Sequence, residues 1–342
     1  MISNRKQHRR SRGSVARIAL LAAAFAAAFA AWSAASLVAQ QGAAPNQPAQ
    51  HAHGAWLFAY FQEPANQGIY LDLSRDGYHY MPLNDGQPWV VPAQPGELMR
   101  DVFLTRGPDS LFHMVWTWGW HGDSLGYASS PDLFAWSEQK EIPIMADFPE
   151  TGNVWAPETY WDAQRKQWLI IWSSSMKDSN TGNHIWSALT SDFNTFSKPQ
   201  IFFDPGYVVI DATIFHGRAG PYRLIFKQQT LDPLTYQERV ATGPSLEGPW
   251  SGISGPINET WSEGPSAIQV GNRYIVFYDH YRAPRARYEA VATLDWKHWK
   301  DITAQTALPA HSKHGSFLWI TDEEAVRLLA RHNVAPSAPP AK

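Results

Sequence analysis

Five times along this chain of 342 residues a polar or acidic cluster opens an apolar strand, and the clusters recur about every fifty residues. They are Arg100-Asp101-Val102-Phe103, Trp155-Ala156-Pro157-Glu158, Ile210-Asp211-Ala212-Thr213, Glu263-Gly264-Pro265 and His314-Gly315-Ser316. From Asp101 to Glu158, Asp211, Glu263 and His314 the steps are 57, 53, 52 and 51 residues. A fixed period of this kind marks a repeat architecture, and β-propeller blades take about 40–50 residues each. Four acids and a histidine at corresponding points of five repeats would meet where the innermost strands meet. An open stack of β-hairpins is the plainer arrangement of the same strands, but it leaves edges unpaired that radial closure protects.

The remainder of each repeat fits a blade. An aromatic-rich strand follows each cluster, at 111–117, 167–173, 222–227 and 274–278. A third strand then leads into a turn and an aromatic residue, at 126–136, 187–196, 240–250 and 290–299. Ser-Pro-Asp, Thr-Ser-Asp and Gly-Pro-Ser in these segments are turn chemistry, so Asp76, Asp132 and Asp192 read as turn formers. The fifth repeat is split. Segments 55–61 and 69–80 supply its second and third strands, and 314–321 supplies the missing first. The expected fold is all-β, a five-bladed β-propeller over 54–321 closed by N- and C-terminal segments sharing one blade.

The start of the chain is of another kind. Arg5, Lys6, Arg9, Arg10, Arg12 and Arg17 precede an Ala/Leu/Phe run at 18–31, shorter than the roughly 20 residues of a membrane-spanning helix. Residues 1–39 read as a signal peptide and 40–53 as a linker, which implies a secreted or periplasmic protein with no integral membrane domain after signal removal. An uncleaved anchor is the alternative, and Arg9-Arg10 leaves the twin-arginine route open beside the general one. Residues 322–342 read as a short helix, acidic at its start as the helix dipole favours, and a disordered tail. The absence of cysteine means that no disulfide contributes to stability. A net charge of −3 gives no reason to expect nucleic acid as a partner.

The chemistry is bounded by what is missing. Without cysteine there is no thiolate catalysis, and no phosphate loop, His-Glu-x-x-His or Gly-x-Ser-x-Gly is present. Carboxylates in an aromatic setting remain. Glycoside hydrolysis needs two of them, one protonated to donate to the leaving oxygen and one ionised. Glu263 lies between Trp261 and Gly264-Pro265, where partial desolvation would favour the protonated form. Asp101 follows Arg100, which would hold it ionised if both side chains faced one way, against the alternation of a regular strand. Asp211 interrupts the apolar run 208–215, where an acid needs a task or a partner. The plainer readings are a turn carboxylate for Glu263, a backbone-bonded structural Asp211, and an ion pair of Asp101 with Arg100 or Arg106. Trp118, Trp120 and His121 after the second strand of the first blade, and His280 in the fourth, suit a sugar platform or loop packing equally well. His314 suits a site or a satisfied core position.

At these residues the chain resembles glycoside hydrolase family 43, whose members are inverting five-bladed propeller enzymes acting on α-L-arabinofuranosides and β-D-xylosides. The resemblance runs from about residue 54 to 321. It implies that Asp101 is the base, that Asp211 orients and tunes the acid, and that Glu263 is the general acid. It implies binding roles for Trp155, Glu158 and His314, and Trp118 and His280 join them as binding candidates from their place in the blades. Two departures stand out: Val102 where the family has Pro, and Glu158 where it has Asp. The implied activity is release of pentose from plant-type polysaccharide fragments by an exo-acting α-L-arabinofuranosidase. β-Xylosidase or exo-galactosidase is the alternative within the fold, and a non-catalytic carbohydrate-binding propeller the alternative outside this chemistry. A retaining fructosidase ranks lower, because its nucleophile and acid motifs are absent. The partner is an oligosaccharide or polysaccharide, with no organic cofactor. A Ca²⁺ or Na⁺ at the propeller axis, held mostly by water with His314 touching its shell, is allowed.

Overall fold

The computed structural model describes residues 53–177 and 182–332. The predicted signal peptide, the predicted linker up to residue 52, and the predicted tail from residue 333 lie outside the described residues. The strands form five antiparallel sheets arranged as the blades of a propeller. Blade 1 has Arg100–Arg106 innermost, then Phe112–Thr117, Leu125–Ser130 and Lys140–Ile142. Blade 2 follows with Trp155–Asp162, Gln167–Ser174, His184–Thr190 and Gln200–Phe203. Blade 3 has only three strands, Val209–Phe215, Tyr222–Leu231 and Leu234–Gly243. Blade 4 has Ser262–Val270, Arg273–His280, Arg287–Thr293 and Lys300–Asp301. Blade 5 joins the two ends of the chain: Lys313–Thr321 lies innermost, paired with Gly54–Phe61, then Tyr70–Ser74 and Met81–Pro82.

Burial on both faces explains the sequence of the second strands. Phe112–Thr117 is buried along its whole length, because each blade packs between two others. The run therefore reads as continuously apolar rather than alternating. Phe58, Phe226 and Phe277 are fully buried, and each such side chain contributes about 1.5–3 kcal/mol of hydrophobic stabilisation. Most of the aromatic content is thus blade packing. The expected turn formers are seen as such. Asp76 Oδ1 accepts from the amides of Tyr78 and His79, Asp132 Oδ1 from Phe134 and Ala135, and Asp192 Oδ1 from Asn194 and Thr195. Asp295 does the same in blade 4 with Lys297 and His298.

The helix Asp322–His332 seals the shared blade. Thr321 and Glu324 form a capping box: Thr321 N–H donates to Glu324 Oε2 at 2.9 Å and Glu324 N–H donates to Thr321 Oγ1 at 3.3 Å. The other Glu324 oxygen accepts from Arg106 of blade 1. Burial would raise this carboxyl, but the Arg106 bond and the Thr321 amide hold it below its ordinary value. Its contribution is therefore present above the unfolded pKa and is lost as pH falls through the lower folded value. Glu324→Ala is expected to destabilise the fold by about 1–2 kcal/mol at neutral pH, the loss of one cap and one ion-paired bond. Thermal unfolding of the variant at pH 7 and at pH 3 checks this. An unchanged midpoint at pH 7 would remove the helix from the closure of the ring.

Candidate active site

A single irregularity, repeated five times, builds the site. Each innermost strand carries a β-bulge at the same height. In blades 1 to 4 the register slips between Arg100 and Phe103, Trp155 and Glu158, Ile210 and Thr213, and Glu263 and Ser266. In blade 5 Lys313 pairs with Phe61 while Ser316 pairs with Ala59. The bulged residues of blades 1 to 4 have left-handed backbone: Asp101 at φ 50, Ala156 at 49, Asp211 at 52 and Gly264 at 61. A bulge re-aims side chains and ends the strict alternation. Arg100 and Asp101, neighbours in sequence, consequently both line the same cavity, as do Ile210 and Asp211.

The bulges are tied blade to blade. The second-strand residues at bulge height are Thr117, Ser173, Lys227, Asp279 and Phe61. Each reaches into the next blade. Thr117 Oγ1 accepts from Ala156 N–H at 2.8 Å, and Ser173 Oγ accepts from Asp211 N–H at 3.0 Å. Lys227 Nζ donates to Glu263 Oε2 at 3.0 Å, and Lys313 Nζ sits 3.0 Å from Asp279 Oδ2. The Arg100 guanidinium lies 4.7 Å over the Phe61 ring, which completes the circle.

The cavity at this height has a volume of about 250 Å³. Asp101, Asp211 and Glu263, from three blades, line it together with His314 from a fourth. Asp101 Oδ2 accepts from Thr117 Oγ1 at 2.7 Å, and its Oδ1 lies 3.4 Å from His314 Nδ1. Burial works against ionisation of Asp101, but His314, Arg100 and Thr117 together hold its carboxyl below the ordinary value. Asp211 Oδ2 accepts from Gly264 N–H at 3.2 Å and lies 3.9 Å from His314 Nδ1. Burial pushes Asp211 up to about 6, with His314 pulling down and Glu263 pushing up. Burial alone would depress the His314 imidazole, yet the Asp101 bond and the charges of Asp211, Asp101 and Glu263 carry it up to about 9. At neutral pH it is an imidazolium between two carboxyls. Gly264 is required here: a Cβ on it would stand 2.4 Å from His314 Cγ, on left-handed backbone.

The predicted binding residues divide. Trp155 and His314 line the cavity. Glu158 does not. It lies two residues beyond its blade's bulge, where the side chain is buried against Tyr160 Oη at the interface with blade 3, and burial pushes its carboxyl up to about 8. Trp118 is half-buried and packs on Trp116 at the margin of the core, ring centroids 6.0 Å apart. The loop's contribution is instead Trp120, 49 % exposed, whose ring stacks 3.9 Å from the Arg100 guanidinium and whose carbonyl accepts from Trp155 Nε1 at 3.0 Å. His280 is buried in blade 4 beside Asp279 and is not part of the cavity wall. Lys227, Gln229 and Tyr281 line the cavity and were not foreseen. For Lys227 a signal existed: a lysine ending the apolar strand segment 222–227 needs an opposite charge.

His314 presents its Nδ1 to carboxyls rather than to open space, and Arg100 and Lys227 line the same cavity. Among the described residues no group of three or more His, Asp or Glu side chains is placed to hold a metal ion. No helix among them is long and apolar enough to cross a membrane.

Comparison with known proteins bears on the family and the fold. The model of a family described as "Probable glycosyl hydrolase domain", related to family 43, matches residues 51–325. An α-L-arabinofuranosidase of Bifidobacterium longum subsp. longum is 26% identical over 169 residues, 41% of this chain and 16% of that protein. The chain thus matches about a sixth of the length of this curated relative. Among solved structures, a thermostable family-43 glycoside hydrolase superposes with a TM-score of 0.50 at 18% identity, covering 62% of this chain and 73% of the other. An α-L-arabinofuranosidase from Lactobacillus brevis gives 0.47 at 13% identity, covering 59% and 72%.

Proposed function

The chain belongs to this glycosyl hydrolase family related to family 43, and on that premise we propose that it is an inverting, exo-acting α-L-arabinofuranosidase. The observation that carries the reading is the meeting of Asp101, Asp211 and Glu263 with His314 in one small cavity. The carboxyls sit in unequal environments, as an acid and base pair requires. Asp101, held ionised by His314 and Arg100, takes a proton from water as the water oxygen attacks the anomeric carbon. The glycosidic C–O bond breaks, and the leaving oxygen takes the proton of Glu263. Asp211, bonded to the amide next to Glu263, orients that acid. Asp101 ends protonated and Glu263 ionised, and exchange with solvent restores both.

Exo action, on one terminal residue, is the mode proposed. A cavity of about 250 Å³ has room for one sugar ring. Arabinofuranoside as the substrate is supported by the name of the Bifidobacterium relative. Val102, the departure beside the base, is buried in the core between blades 1 and 5, so Asp101 keeps its place in the cavity without the family's proline. The basic and apolar start of the chain adds export from the cytoplasm to the proposal.

The test is hydrolysis of 4-nitrophenyl α-L-arabinofuranoside, β-D-xyloside and β-D-galactoside beside arabino-oligosaccharides, with the anomer of the first product read by NMR. The expected result is arabinose released with inverted configuration. Retained configuration would overturn the roles of Asp101 and Glu263. Binding of glycans without turnover on any substrate would replace the enzyme by a carbohydrate-binding propeller.

A further inference from the structure

Lys227 stands out as a charged residue the mechanism above does not use. Its side chain is 3% exposed, and it ends the buried stretch Leu224, Ile225, Phe226 of its strand. The ring of blade-to-blade ties explains how it comes to be there. In blades 1 and 2 the same position holds Thr117 and Ser173, which accept from a backbone amide of the next blade. In blade 3 the position holds an ammonium, and the group it meets in the next blade is the carboxyl of Glu263. The ammonium lies 4.7 Å from the Tyr281 ring and 5.4 Å from the Tyr236 ring, so aromatic faces flank it. Across the sheet Lys227 pairs with Glu238, a fully buried acid. Burial pushes the Glu238 carboxyl up to about 8, against the pull of Lys227. Lys227 itself is held charged: burial acts against it, but Glu263 and Asp211 raise it well above its ordinary value.

We propose that Lys227 is the positioning residue of the general acid, fixing Glu263 so that one oxygen is bound by the ammonium and the other carries the transferable proton. This rests on Glu263 being the acid, as proposed above. Glu263 Oε2 accepts from Lys227 Nζ, which leaves Oε1 as the oxygen free to carry a proton to the leaving group. Rotation about the last side-chain bond, which would otherwise exchange the two oxygens, breaks the Lys227 bond. As the proton passes to the leaving oxygen, the carboxylate that forms already has its countercharge in place. That is stabilisation of charge where it develops, by a group that need not move.

A residue that works through the acid has a signature that a structural or substrate-binding residue lacks. A glycoside with a good leaving group needs little protonation, whereas a sugar leaving group needs it fully. Lys227→Met is expected to lower kcat on α-1,5-arabinobiose by about 10–100-fold, part of the about 10²–10⁴ of general acid catalysis. On 4-nitrophenyl α-L-arabinofuranoside kcat is expected to stay within about threefold, and KM to stay the same on both substrates. Should Lys227→Met fail to fold, because it leaves buried carboxyls without their cation, Lys227→Gln is read in its place, since it removes the countercharge and shortens the reach to Glu263 while keeping a polar group, and the same split between the two substrates is expected. Equal loss on the two substrates, or no loss on arabinobiose, would overturn the proposal. Glu263→Gln measured alongside separates the two levels of inference. If Glu263→Gln shows the leaving-group dependence and Lys227→Met does not, only the role of Lys227 fails. If Glu263→Gln lacks it too, the assignment of the acid fails and the role of Lys227 falls with it.

Discussion

Asp101→Ala is expected to abolish measurable turnover while the propeller stays folded. General base catalysis is worth about 10²–10⁴ in rate, and no other group in the cavity is equipped to replace it. His314 is an imidazolium at neutral pH, with Nδ1 directed at carboxyls. Asp211 is pushed up to about 6, and Lys227 binds Glu263. Asp101 alone combines a carboxyl held low with a fixed orientation, through Thr117 at 2.7 Å. Its left-handed backbone, φ 50, is a conformation aspartate and asparagine tolerate better than alanine. Asp101→Asn is therefore the cleaner companion, because it keeps the backbone and the Thr117 partner and loses the base. Both variants are to be compared with wild type in kcat/KM on 4-nitrophenyl α-L-arabinofuranoside and in thermal unfolding. Near wild-type turnover in either variant would refute the base assignment. A collapse of the melting transition in Asp101→Ala but not Asp101→Asn would make the alanine result a statement about the bulge.

The bulge also explains what the sequence could and could not disclose. The period was legible because each blade spends about the same number of residues on the same pattern. The turn aspartates were legible because their chemistry is local: Asp132 and Asp192 bond amides two and three residues ahead. The closure of blade 5 was legible because a first strand was missing at one end and spare at the other. Register within the repeat was not. Aligning acid with acid places Glu158 beside Asp101, whereas the bulges align Ala156 with Asp101, and the two-residue difference sends Glu158 into the blade interface. Glu263, in turn, stands one residue before its bulge and still reaches the cavity, as Arg100 does. Strand alternation gives the wrong answer for Arg100 and Asp101 for the same reason. For Lys227 the sequence showed the need for an opposite charge but not its source, because the partner lies in another blade, a pairing that local sequence does not encode.

Glu263→Gln is expected to lower kcat on α-1,5-arabinobiose by about 10²–10⁴-fold, and far less on 4-nitrophenyl α-L-arabinofuranoside. The substitution is close to isosteric. The glutamine carbonyl still accepts from Lys227 Nζ, so the tie between blades 3 and 4 survives and the variant should melt near wild type. What is lost is the proton. A sugar leaving group departs as an alkoxide unless it is protonated, whereas 4-nitrophenolate departs unaided, so the loss must scale with the basicity of the leaving oxygen. The limb of the pH–rate profile that falls as the acid ionises should vanish with it, leaving the limb set by the base. Asp211 makes the comparison sharper. It bonds the amide of Gly264 next to Glu263 but carries no proton to the leaving group in this mechanism. Asp211→Asn should therefore shift that limb without erasing the leaving-group dependence. Equal losses on both substrates in Glu263→Gln would show that the proton comes from elsewhere, and Asp211, raised to about 6 by burial, would become the acid to test.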